Sequence, residues 1–141
     1  MSLPLVKLLA KVEVAEGTTT FHFEKPDGFH YKAGQFADYT LQDPPETDEE
    51  GNTRGFTLSS APFEPHLAAT TRLRDSAFKR VLKNAPIGTE VALDAPYGSF
   101  TLHNDVARPA VFLTGGIGIT PASSVAPNTS AAICATSPHG T

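Results

Sequence analysis

The sequence predicts a mainly β fold, a closed antiparallel barrel of six short strands with one helix placed before the last of them. Three observations lead there. Runs rich in Val, Thr, Phe and Leu recur between about residues 3 and 102. Turn residues separate them: Gly17, Pro26-Asp27-Gly28, Pro44-Pro45, Pro62 and Pro86-Ile87-Gly88. Only one segment, 75–85, leaves this pattern for helical spacing. Six strands at such intervals suggest a barrel, which removes exposed sheet edges.

The first strand is VKLLAKVEVA; Lys7 and Lys11 interrupt its apolar run and no small-residue cleavage site precedes Val12, so it reads as a strand and not a signal peptide. In TTTFHFEK, Phe21 and Phe23 alternate with His22 and Glu24, the period of a half-buried strand. GQFADYTLQ and RGFTLSS follow, separated by DPPETDEEGNTR, with five acids in the twelve residues from Asp43 to Arg54. This charge run reads as a solvated loop, with an acidic docking surface as the alternative. LAATTRLR is the fifth strand and TEVALDA the sixth. Between them, DSAFKRVLKNA places Ala77, Phe78, Val81 and Leu82 on one helical face; Asp75 or Ser76 can cap its start, and Pro86-Ile87-Gly88 stops it.

Length and charge narrow the function classes. The 141 residues suffice for one domain with a core. A net charge of -4 gives no electrostatic reason to expect nucleic acid or an anionic membrane as partner. No apolar run approaches the ~20 residues of a membrane helix. Cys134 is the single cysteine, which fits a reducing, cytoplasmic setting and a soluble protein. The five histidines form no metal-binding pair, and no residue reads as a nucleophile or general base, so no catalytic or metal-ligating residue is expected.

Three constellations can carry chemistry. The strand AVFLTGG leads into a glycine turn containing Gly115, Gly116 and Gly118, then Thr120-Pro121, which reads as a helix cap and first helical position. Such a turn lets backbone N–H groups approach a phosphate, although glycine turns also serve simply to join strands. RGFTLSSAP offers a guanidinium at Arg54, a flat ring at Phe56 and a hydroxyl at Thr57, suited to an anionic aromatic ligand; a core Phe with surface hydroxyls is the alternative. TTRLRDSAFKR sets Arg72 and Arg74 beside the helix start at Ser76, a good pyrophosphate site, whereas Lys79 and Arg80 read as the helix's solvated face.

Together these motifs resemble the ferredoxin–NADP reductase superfamily. RGFTLSSAP resembles its Arg-x-(Tyr/Phe)-(Ser/Thr) flavin motif, YKAGQFADYTL the preceding "GQ" strand, and APYGSFTL the close of its flavin domain. VFLTGGIGITP resembles the opening strand and loop of its pyridine-nucleotide domain. The resemblance runs in order from about residue 3 to 121 and implies a Greek-key FAD-binding barrel. It implies that Arg54 binds FAD phosphate, Phe56 packs on the flavin and Thr57 bonds near flavin N5. Arg72, Leu73 and Arg74 match the strand end along the flavin edge and adenine side, and Ser76 and Ala77 the helix start that holds the pyrophosphate. Gly115, Gly116 and Gly118 match the nucleotide loop, and Thr120 a threonine near flavin and nicotinamide. Phe56 in place of the commoner tyrosine keeps the stacking but loses a phenol hydrogen bond worth roughly 0.5–1.5 kcal/mol.

The implied division is an FAD-binding barrel over 3–106, the start of an NAD(P)-binding domain over 107–121, and a low-complexity tail over 122–141. In that tail fourteen of twenty residues are Ala, Ser, Thr or Pro and none is charged Asp, Glu, Lys or Arg, so a disordered or loosely attached segment is expected. The implied activity passes electrons from NADH or NADPH through FAD to an iron–sulfur protein, a haem, a free flavin or oxygen, weakened where the second domain is cut short. The alternatives are a non-catalytic barrel module with a vestigial flavin site, and a second domain supplied by another chain.

Overall fold

A computed structural model describes residues 3–101, 107, 111–115, 120 and 132–136. All six predicted barrel strands form: β1 (Leu5–Ala15), β2 (Thr18–Glu24), β3 (Phe36–Leu41), β4 (Thr53–Thr57), β5 (His66–Arg72) and β6 (Glu90–Tyr97). The helix α1 (Ala77–Asn84) lies between β5 and β6, as its spacing predicts. Pairing is antiparallel throughout this sheet, in the order β4-β3-β6-β1-β2-β5.

The sheet does not close, and here the expected closed barrel is corrected. β4 and β5 are its two ends, joined by a single bridge at Leu58↔Ala69, with the Ser59 N–H donating to the Ala68 carbonyl at 2.9 Å. β4 is five residues long and pairs fully along β3, from Phe36↔Thr57 to Thr40↔Thr53. Toward Arg54 it leaves β5, whose own partner is β2 over all seven residues. The result is a seam between the end strands, held at one point and open beyond it.

Alternation builds the core. Phe21 and Phe23 of β2 are buried while His22 and Glu24 are half-buried, as the sequence pattern requires. They meet Val6 and Leu8 of β1, Tyr39 of β3, Leu67 of β5, and Val91 and Leu93 of β6 in one cluster. α1 adds Phe78 and Leu82 to that cluster. Rings run through it in sequence: Phe23 to Tyr39 at 4.9 Å between centroids, Tyr39 to Phe56 at 5.9 Å, Phe56 to Phe78 at 5.9 Å. Offset and tilted pairs at these separations add to area burial.

The helix ends are satisfied from outside the helix. Ser76 is the N-cap, extended at φ -142, its Oγ accepting from the Lys79 N–H at 3.4 Å. At the other end the Lys11 ammonium of β1 donates to the carbonyls of Lys83 (2.8 Å) and Ala85 (2.7 Å), placing a cation where the helix dipole favours one.

Beyond the barrel, β7 (Val111–Gly115) pairs in parallel with β8 (Ala132–Thr136), from Val111↔Ala132 to Gly115↔Thr136. β8 falls in the stretch expected to lack regular structure. The Ala-, Ser- and Thr-rich composition of 122–141 obscures a five-residue run, Ala-Ile-Cys-Ala-Thr, that is apolar enough for a strand. Parallel neighbours need a crossover of about a dozen residues or more, usually helical; Thr120, between the two strands, has helical backbone.

Candidate functional site

A cleft of about 510 Å³ lies at the open seam. β4 contributes Arg54, Gly55, Phe56 and Thr57, and β5 contributes Thr70 and Thr71. Arg74, Ser76 and Lys79 come from the turn into α1 and its first turn, and Thr120 from the segment after β7. The short β4 thus has a consequence beyond topology: where it stops pairing with β5, the two strands part and create room for a ligand.

Three cations, Arg54, Arg74 and Lys79, line the cleft together with two acids, Glu50 and Asp75. Burial, and then the charges of Arg74 and Arg54, push the Lys79 ammonium below its ordinary value of 10.5. Burial is the larger cause; the two arginines add to it and Glu50 opposes it. The helix start contributes the positive end of its dipole as well.

Arg54 is held from several sides. Its Nη1 donates to the carbonyls of Glu50 (2.8 Å) and Thr53 (2.9 Å), its Nη2 to the Glu50 carboxylate at 2.6 Å, and its guanidinium lies 5.4 Å above the Phe78 ring. Phe56 has two duties. One side of its ring packs on Tyr39 and Phe78 in the core, and it also lines the cleft. The geometry places Phe56 in the core and at the cleft wall at once.

Of the residues singled out in the sequence, Arg54, Phe56, Thr57, Arg74, Ser76 and Thr120 come together around the cleft, with Thr120 buried at 7% exposure. Arg72 and Leu73 do not line it: Arg72 pairs with Thr18, and Leu73 packs against the core. Ala77 is buried at the helix start. Gly115 ends β7, and Gly116 and Gly118 lie outside the described residues.

Sequence reasoning missed Lys79, read as a solvated helix residue. Its place one turn in from the cap, on the side of Ser76, was the available signal, since residues i and i+3 of a helix share a face. Arg80 does stay outside the cleft, paired with Glu46 and Asp75. The acidic stretch is exposed, as expected of a solvated loop, and three of its acids also have partners. Glu46 binds Arg80, Glu50 binds Arg54, and the Asp48 carboxylate accepts from the Ala77 N–H at 2.9 Å. That last hydrogen bond holds the Asp48 carboxyl below the usual carboxylate range, and the Arg80 fork does the same for Glu46.

The motifs flanking the site are joined physically. Gln35 accepts from the Lys32 N–H at 2.8 Å and donates to the Gly98 carbonyl at 3.1 Å, tying the stretch before β3 to the turn after β6. Gly34, with φ +98, could not be another residue, because a Cβ there would overlap the Phe100 carbonyl oxygen.

Fold and site define a β-barrel, open at one seam, whose seam carries a charged cleft against a helix start. The chain belongs to the ferredoxin–NADP reductase superfamily. It is 33% identical over 111 residues to the glycine betaine monooxygenase reductase subunit of Chromohalobacter salexigens, covering 77% of this chain and 29% of that protein. It is also 33% identical over 110 residues to the propane 2-monooxygenase reductase component of Mycolicibacterium smegmatis, covering 69% of this chain and 27% of that protein. The chain therefore spans under a third of the length of these relatives. The same fold occurs in a ferredoxin NADP+ reductase from Neisseria gonorrhoeae solved with bound FAD and NADP, with a TM-score of 0.78 at 20% identity, covering 96% of this chain and 57% of that one. No family model matches the chain.

Proposed function

We propose that this chain is the FAD-binding unit, with the opening of a pyridine-nucleotide unit, of an NAD(P)H-dependent reductase that delivers electrons to a redox partner. The observation that carries this is the meeting of Arg54, Arg74, Lys79 and the α1 start around one cleft beside the Phe56 ring. These groups suit the two ends of FAD's flavin half. The cations and helix start would hold the diphosphate; Phe56 offers a flat apolar face, and Thr57 a hydroxyl, to the ring system. When bound, the flavin supplies two-electron chemistry with a nicotinamide and onward transfer to an acceptor. The chain's own residues bind, orient and neutralise.

Residues 3–106 are the FAD unit on this reading, and a second unit starts at 107. Support comes from the parallel pair β7 and β8 with helical backbone at Thr120 between them, the arrangement of a strand–crossover–strand start in which a glycine turn faces phosphate. Gly115, Gly116, Gly118 and Thr120 would then serve NADH or NADPH. Both sequence relatives are reductase components of monooxygenases, which favours an oxygenase component as the electron acceptor.

The test is a visible absorption spectrum of the purified protein before and after FAD addition and desalting. A retained flavin spectrum is expected. A protein that stays colourless after FAD addition overturns this reading and leaves a barrel module of another kind.

A further inference from the structure

The groups that would hold a diphosphate already have partners, and both are carboxylates of the β3–β4 loop. Asp48 Oδ2 accepts from the Ala77 N–H at the start of α1, at 2.9 Å, while its Oδ1 lies 3.8 Å from Arg54 Nη2. Glu50 Oε2 takes the same Arg54 nitrogen at 2.6 Å, and Glu50 itself lines the cleft. Two negative groups thus sit on a helix-start N–H and a guanidinium, the partners an anionic ligand would seek.

The loop is arranged to present them. Its base is clamped by the Leu41 N–H to the Asn52 carbonyl at 3.0 Å and by the Thr40 and Thr53 hydroxyls at 2.8 Å. Its near end is pinned to the outer face of α1 by the Glu46 carboxylate, which takes Arg80 Nε at 3.0 Å and Nη2 at 3.1 Å. Between these anchors, Asp48 bends back on its own loop. Oδ1 accepts from the Glu50 N–H at 3.0 Å, and the Asp48 carbonyl accepts from the Gly51 N–H at 3.1 Å. The turn places Glu50 in the cleft lining and Asp48 on the Ala77 N–H, next in sequence to Ser76, which also lines it. Arg74 and Lys79, which also line it, form no ion pair among the described residues.

We propose that Asp48 and Glu50 form an internal clasp on the diphosphate ground of the cleft, so that FAD enters by exchanging two carboxylates for two phosphates. The clasp sets the affinity for FAD. It keeps the cations oriented in the empty protein, and it excludes anions too weakly charged to displace it. The inference rests on the flavin reading above only in taking the ligand's anionic part to be a diphosphate. No covalent step is involved; the exchange is of hydrogen bonds and ion pairs.

The test is the doubly substituted protein Asp48→Asn, Glu50→Gln, which keeps oxygen acceptors for the Ala77 N–H and Arg54 while removing both charges. Binding of FAD and, separately, of inorganic pyrophosphate is measured by calorimetry for both proteins, with thermal unfolding of each ligand-free protein. FAD should bind the variant about two- to thirtyfold more tightly, the range that two exposed ion pairs span. Pyrophosphate should shift the same way, while the ligand-free variant melts at a lower temperature. Glu50→Gln alone, a change at an exposed side chain, should give a smaller gain of the same sign should the double variant fail to fold. Unchanged or weaker FAD binding by the folded variant overturns the clasp. If FAD binds neither protein but pyrophosphate binds the variant more tightly, the clasp stands and the flavin reading falls. If neither ligand binds either protein, both fall.

Discussion

The Lys79 ammonium donates to the Arg72 carbonyl at 2.7 Å, tying the first turn of α1 to the end of β5. The bond fixes the amine in the cleft with Arg54 and Arg74, whose charges help to depress it. Replacing it with glutamine keeps a donor for the carbonyl and removes one positive charge. Lys79→Gln is expected to weaken FAD binding about three- to tenfold, on the order of 1 kcal/mol. An anionic ligand favours the charged amine, so wild-type affinity should fall as pH rises toward 10.5. That fall should be absent from the variant. Equal dissociation constants at neutral pH would remove Lys79 from the site.

Phe56 joins core and cleft, and its two duties can be separated. Phe56→Leu keeps most of the volume packed against Tyr39 and Phe78 but gives up the flat ring. A volume-conserving swap of this kind costs less than about 1.5 kcal/mol of stability. The loss in FAD affinity should exceed what the change in melting temperature accounts for, and the bound flavin's absorption envelope should shift. An unaltered spectrum with unaltered affinity would make Phe56 a core residue only.

The barrel was legible because its signals are local. Phe21 and Phe23 alternate with polar neighbours, Gly17 and the proline turns mark strand ends, and Ser76 announces the helix. That Arg54, Phe56, Thr57, Arg74 and Ser76 belong to one place in the fold was legible through the motifs that carry them. The open seam was not, because it depends on where β4 and β5 diverge after the Leu58↔Ala69 bridge, a property of two strands nine residues or more apart in sequence. The roles of Asp48 and Lys79 were hidden for the same reason. A carboxylate that binds a backbone N–H twenty-nine residues away looks like any other acid in a charged loop.

Tyr39 carries a cost that the structure makes visible. Its ring is fully buried between Phe23 and Phe56, and its hydroxyl has no hydrogen-bond partner among the described residues. A buried polar group without a partner costs about 1–3 kcal/mol, so Tyr39→Phe should stabilise the protein by about 1 kcal/mol or more. Burial also raises the phenol above its ordinary value of 10.0. With the folded value raised, this group's contribution is intact below pH 10.0. Above it the unfolded chain loses the proton first, and stability falls with rising pH by about 1.4 kcal/mol per unit. The variant's denaturant midpoint should be higher than wild type at pH 8 and should decline less between pH 10 and 11. A lower midpoint at both pH values would mean that the hydroxyl is satisfied in solution.

Acid should act through the loop. The folded values of Asp48 and Glu46 lie below their ordinary values of 3.8 and 4.5, lowered chiefly by the Ala77 N–H and by Arg80. Their contribution is therefore present above those ordinary values and is lost as pH falls through the lowered ones. Thermal scans should show the wild type losing stability below about pH 4 more steeply than Asp48→Asn. Parallel curves would mean that Asp48 titrates alike in the folded and unfolded chain.

Hydride transfer demands more than flavin binding. A nicotinamide must be held against the flavin, and such positioning contributes up to roughly 7–11 kcal/mol in a well-oriented reaction. Among the described residues the proposed second unit includes β7, β8 and Thr120, with Val111 and Leu113 of β7 at 70% and 81% exposure. Among the described residues of that segment, Thr120 is the one that lines the cleft, where a nicotinamide would meet the flavin. The 141-residue polypeptide, loaded with FAD, should therefore be bleached readily by dithionite but only slowly by NADH or NADPH. Stopped-flow absorbance of the flavin band checks this, with the dithionite reaction as the reference for a competent, reducible site. Bleaching by either nucleotide at about 10 s⁻¹, an ordinary enzyme turnover, would overturn this expectation and show that the polypeptide holds the nicotinamide in a reactive pose.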